Sequence, residues 1–142
     1  MLASGSRTTA TRSSVNLPHS TNSAAQARLA VDRALHDLAV AEEVRTDVLV
    51  VVSELVGNAV RHAAPLPGGR IEVGWTVEPD EIILEVADGG IDVLRSHPDA
   101  NNPDSSPDEG GRGLLLVTAL TSDAHRLYRE GVGVVRAVIP RP

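Results

Sequence analysis

Glu54, Asn58 and His62 recur every four residues through the stretch SELVGNAVRH, Ser53 to His62. On a helix of about 3.6 residues per turn, such steps keep all three on one side, drifting about 40° each time. A carboxylate, an amide and an imidazole in line can do chemistry. The amide oxygen of Asn58 can ligate a hard cation such as magnesium, whose remaining ligands are water and phosphate oxygens. Glu54 can act as a base or orient a water. His62 can join them, or can equally cap the C-terminus of the helix. The same spacing is more commonly that of a solvated stripe bordering an amphipathic helix, with Val52, Leu55, Val56, Ala59 and Val60 as its packing surface.

Two further stretches carry ligand-binding residue types. In EVADGG, Glu85 to Gly90, a carboxylate ends an apolar run and two glycines follow. Asp88 there can accept a hydrogen bond from the exocyclic amine of adenine, while Gly90 lets the backbone approach a ligand. A plain Asp-Gly turn uses the same residues. In EGGRGLLLV, Glu109 to Val117, glycines run into the start of a helical pattern. Free N–H groups at Gly111, Gly113 and Leu114, with the helix dipole, form a ready anion site, and Arg112 can add bidentate phosphate contacts. A flexible hinge before an ordinary helix has the same composition. Taken in chain order, the three stretches describe one pocket: a helix face for metal, a strand-end carboxylate for a base and a glycine-rich helix start for phosphates.

The elements that must position them follow from hydropathy. Residues 1–14, rich in Ser, Thr, Arg and Gly, read as a disordered tail, and 15–142 as one domain. Val15–Leu17 is a short strand stopped by Pro18. Ser20 or Thr21 is the N-cap of a helix whose apolar positions are Leu29, Val31, Ala34, Leu35 and Leu38. The run VLVVV, Val48 to Val52, has strong β propensity. Yet from Ala41 to Ala64 there is no proline and only Gly57, which favours one long helix over a strand. Pro65-Leu66-Pro67-Gly68-Gly69 ends it. Ile71–Val77 and Ile82–Ala87 form an antiparallel hairpin. A long loop at about 89–110 has the composition and length of a functional lid. Leu114–Leu120 resumes a helix, and Ala124–Tyr128 with Val132–Ile139 closes the domain as a second hairpin. The expected architecture is an α+β two-layer sandwich, a mostly antiparallel sheet with helices on one face.

Composition narrows the chemistry. All 13 basic residues of the 142-residue chain are Arg, and with no Lys there is neither a Walker-type phosphate loop nor a Schiff base. The absence of Cys removes thiolate metal sites, thiol nucleophiles and disulfides. One Trp, one Tyr and no Phe, with a net charge of -6, argue against direct nucleic-acid binding. No apolar run approaches the roughly 18 residues of a membrane span, and no secretory signal is legible, so a cytoplasmic protein without membrane attachment is expected.

SELVGNAVRHA, VADGG and GGRGLLLV resemble the N, G1 and G2 boxes of the GHKL (histidine kinase-like) ATPases, and most closely the anti-sigma-factor serine/threonine kinases of actinobacterial type. The similarity covers about 15–140. It implies a Bergerat-type fold, ATP with Mg²⁺, a sigma factor and a STAS-type anti-sigma-factor antagonist as partners, and a homodimer. Carried over, Glu54 is the general base and Asn58 the metal ligand. Asp88 and Gly90 meet the adenine, and Gly111 and Gly113 the phosphates. The chain departs from the pattern at Asp92, where a glycine is usual, and at Glu109 and Gly110, where an Arg commonly precedes the glycine pair. It departs again at Gly133, where a Thr near the adenine is usual. Two functions are therefore expected in order: an ATP-dependent anti-sigma factor that phosphorylates its antagonist, and a non-catalytic module of the same fold that only sequesters partners.

Overall fold

The structure, a computed structural model, describes residues 10–90 and 115–142. Strand β1 (Thr11–Pro18) leads into helices α1 (Ser23–Asp37) and α2 (Glu42–His62), then strands β2 (Arg70–Val77), β3 (Glu81–Asp88), β4 (Asp123–Arg129) and β5 (Val132–Pro140). Residues 115–120 are helical. The strands form one five-stranded sheet in the order β1-β2-β3-β5-β4, with every neighbouring pair antiparallel. The expected two-layer sandwich is the observed one.

Alternation builds the inner face of the sheet. Ile71, Val73, Trp75 and Val77 of β2 point inward, as do Ile82, Leu84 and Val86 of β3 and Ala137 and Ile139 of β5. Against them lies α2, which buries Val44, Val48, Val51, Val52, Leu55, Val56 and Ala59 at helical spacing. That spacing resolves VLVVV: the β-branched side chains meet both the sheet and α1 only on a helix, and tertiary burial outweighs strand propensity. Helix α1 contributes Ala27, Val31 and Leu35, one residue per turn.

Two boundaries and one core position differ from expectation. β1 begins at Thr11, not Val15, because residues 11–14 find backbone partners on β2 from Val77 to Gly74. The N-cap of α1 is Asn22, with no side-chain capping bond. Ser20 serves nearby instead, its carbonyl accepting from the Ser23 N–H at 3.0 Å. Leu29, expected among the core positions, is 69% exposed. The turn joining β4 to β5 places Glu130 (φ 51°) and Gly131 (φ 82°) in the left-handed region, the geometry of a two-residue hairpin. No helix among the described residues is long and apolar enough to cross a membrane.

Leu84 and Leu29 make a paired prediction. Leu84→Ala removes a fully buried side chain and should cost about 2–5 kcal/mol in urea unfolding. Leu29→Ala should stay within about 0.5 kcal/mol of wild type.

Candidate functional site

The inward row of β3 does not stop at its apolar residues. Ile82, Leu84 and Val86 are followed, two residues on, by Asp88, which is 0% exposed. Strand parity alone puts a carboxylate on the core side of the sheet. A buried charge needs partners, and among the described residues Asp88 has two. The Gly90 N–H donates to Oδ1 at 2.8 Å. Arg126 Nη2 donates to Oδ1 at 2.9 Å and to Oδ2 at 3.1 Å.

Arg126 reaches Asp88 from the edge of the sheet. It pairs in register with Val135, while Asp88 pairs with Gly133. The guanidinium therefore crosses β5 diagonally, over Gly133. A Cβ at Gly133 would stand 2.5 Å from Arg126 Nη2 and 2.6 Å from Asp88 Oδ1. Only glycine leaves room for the pair. Tyr128 holds the other end: Arg126 Nε donates to its hydroxyl at 2.6 Å, with the guanidinium 5.0 Å from the ring centre.

The loop after Asp88 is tied to the end of α2. Gly89 N–H donates to the Ala64 carbonyl at 2.7 Å, and Ala64 N–H donates to the Gly90 carbonyl at 2.9 Å. Gly90 adopts a φ of 92°, and a Cβ on Gly89 would collide with the Pro65 carbonyl. The C-terminal carbonyls of α2 are capped from elsewhere. His19 Nε2 lies 3.2 Å from the Ala59 carbonyl and 2.9 Å from that of Ala63. Two carbonyls can only accept, so this nitrogen carries the hydrogen. The capping role open to His62 thus falls to His19.

Between α2 and the sheet lies a cavity of about 370 Å³, within the size range of small-ligand sites. Helix α2 lines it with Leu55, Asn58, Ala59 and His62, and the sheet with Val135 and Arg126. Val117, from the helical segment 115–120, adds a further apolar wall. Asn58 and His62 thus meet one space, while Glu54, one turn earlier and half-buried, does not line it. Asn58 Oδ1 accepts from Arg61 Nη2 at 2.9 Å. Among the described residues no three His, Asp or Glu side chains cluster as a metal site, so a divalent ion here would rest on the Asn58 oxygen and on ligand oxygens.

Gly111, Arg112, Gly113 and Leu114 lie outside the described residues, as do Asp92, Glu109, Gly110 and nearly all of the expected lid. Sequence reasoning missed Arg126 and His19. The glycine at 133 was a visible signal for the first, but the cation that uses it depends on strand order. For His19, a lone histidine after a strand, the sequence held no signal.

Gly89→Ala tests the junction between β3 and α2. It should destabilise the fold by about 1–3 kcal/mol through the clash at Pro65, read as a lowered midpoint of chemical unfolding. A variant as stable as wild type would show that the junction gives way freely.

The chain matches the model of the histidine kinase-like ATPase domain over residues 17–139. It is 29% identical over 117 residues to the serine-protein kinase RsbW of Oceanobacillus iheyensis, covering 77% of this chain and 74% of that one. It is 32% identical over 97 residues to the protein of the same name in Listeria monocytogenes serovar 1/2a, covering 63% and 62% of the two chains. Among solved structures, that of the RsbU and RsbW domains of a Mycobacterium tuberculosis protein superposes with a TM-score of 0.67 at 20% identity, over 93% of this chain and 33% of that one. The SiaB–SiaC complex of Pseudomonas aeruginosa contains a chain with a TM-score of 0.62 at 19% identity, covering 96% and 93%. A family match running from the end of β1 to β5, across both long helices and the Asp88 loop, leaves one conclusion: the chain belongs to the histidine kinase-like ATPase domain family.

Proposed function

We propose that this chain binds ATP with Mg²⁺ and acts as a cytoplasmic anti-sigma factor with serine/threonine protein kinase activity toward a STAS-type anti-sigma-factor antagonist. The observation that carries the nucleotide reading is Asp88: a fully buried carboxylate at a strand end, whose partner Arg126 lines a largely apolar cavity. The relatives named serine-protein kinase support the choice of phosphoryl transfer.

The residues fit the group. Leu55, Ala59, Val117 and Val135 offer apolar walls to a flat base and keep water from it. Asp88 accepts from the exocyclic amine. The Asn58 oxygen exchanges its Arg61 donor for the cation. The N–H groups of Gly111, Gly113 and Leu114, with Arg112, take the phosphates, and His62 borders the same space. Bound ATP supplies the phosphoryl group. Glu54, one turn before Asn58 and outside the cavity wall, takes the proton of an incoming Ser or Thr hydroxyl in this reading. A homodimer is the assembly assigned, measurable by light scattering.

A second reading, a non-catalytic module that sequesters a sigma factor or an antagonist, is favoured by one feature: the acceptor edge of Asp88 is engaged by Arg126. Asp88→Asn tests whether the nucleotide pocket is real, and Glu54→Ala separates the two readings. Asp88→Asn should weaken calorimetric binding of ATP with Mg²⁺ by about tenfold or more, since a bond to a charged acceptor is lost. Glu54→Ala should retain binding but lose roughly 10²–10⁴ of the rate of antagonist phosphorylation. Nucleotide binding without phosphorylation of any antagonist, and no difference between Glu54→Ala and wild type, would leave the sequestering module.

A further inference from the structure

We infer that Arg126 is a resident competitor for the base-recognition carboxylate, and that its displacement sets the affinity for adenine nucleotides and the selectivity for the amine. This rests on the reading of Asp88 as the acceptor for that amine. Arg126 Nη2 donates to both carboxylate oxygens of Asp88, at 2.9 and 3.1 Å, and so occupies the acceptor that an exocyclic amine would use. Arg126 lines the cavity whereas Asp88 does not, so the guanidinium stands between the acceptor and any ligand. It is 27% exposed beside a completely buried partner, which leaves it a path to swing outward while Asp88 stays fixed on β3.

Gly133 is the other half of the device. It pairs across from Asp88, and any larger residue would fill the space the guanidinium crosses. The glycine and the arginine therefore act together: one vacates the position above the carboxylate and the other occupies it. Tyr128 holds the guanidinium in place from the edge strand. A site whose competent form is a minority binds with an affinity lowered by that fraction. A closed pair favoured about ten to one over the open form weakens binding roughly tenfold.

Calorimetric titration with ATP and with ITP, each with Mg²⁺, tests this on wild type, Arg126→Ala and Tyr128→Phe. ITP carries a carbonyl where ATP carries the amine. Arg126→Ala should bind ATP roughly tenfold more tightly than wild type and ITP no more tightly. Tyr128→Phe, which keeps the arginine and its pair with Asp88 but removes the hydroxyl that anchors the guanidinium, should shift in the same direction by a smaller factor. Because Tyr128 is exposed, this variant also guards against loss of folding in Arg126→Ala, which leaves a buried carboxylate without its cation. ATP binding by wild type that both variants leave unchanged or weaken would overturn this inference alone, as would tightening shared equally by ITP. No binding of either nucleotide by any of the three proteins would overturn the nucleotide reading, and this inference with it.

Discussion

Asp88 is the constraint around which the rest of this molecule is arranged. A carboxylate with no exposed surface cannot be left unpaired, and breaking such a pair by removing one partner typically costs about 3–5 kcal/mol. Its position is not adjustable, because it is the last member of the inward row Ile82, Leu84, Val86 on a central strand. Gly90, Arg126 and Gly133 each supply it a donor or make room for one. Gly90 bends through a positive φ to offer its N–H, and Arg126 extends across β5 to offer its guanidinium. Gly133 contributes only the absence of a side chain.

The same fixed point connects the sheet to the helix layer. Through Ala64, the backbone around Gly89 and Gly90 is hydrogen-bonded to the residues just after α2. The helix end that presents Asn58 and His62 is thus held in register with the carboxylate. His19 secures that end from the β1 side, where its ring satisfies two carbonyls. A cavity wall built from α2 and a polar group built from β3 are therefore positioned by one short stretch of backbone, not by two independent elements.

Much of this was legible in the sequence, for reasons that differ by element. The helix across VLVVV was readable because its length and polar spacing outweighed local propensity, and the structure supplies the burial that enforces it. The hairpins were readable from alternation, and Asp88 from its place at the end of an apolar strand. What the sequence could not show was non-local. Arg126 lies 38 residues from Asp88, and their meeting requires β5 to sit between β3 and β4, an order no local pattern encodes. Capping by His19 likewise depends on where β1 docks. The exposure of Leu29 reflects a face of α1 that points away from the sheet, which periodicity alone left undecided.

Glycine at 133 and arginine at 126 turn an expected acceptor into a site that already holds a donor, so an adenine base and the guanidinium cannot both hold Asp88. A crystal structure with a non-hydrolysable ATP analogue and Mg²⁺ tests that exclusion most directly. The account predicts the exocyclic amine of the base within hydrogen-bond distance of Asp88, in the cavity bounded by Leu55 and Val135, with the Arg126 guanidinium withdrawn. A base bound elsewhere, or one bound there while the Arg126–Asp88 pair stays intact, would contradict it.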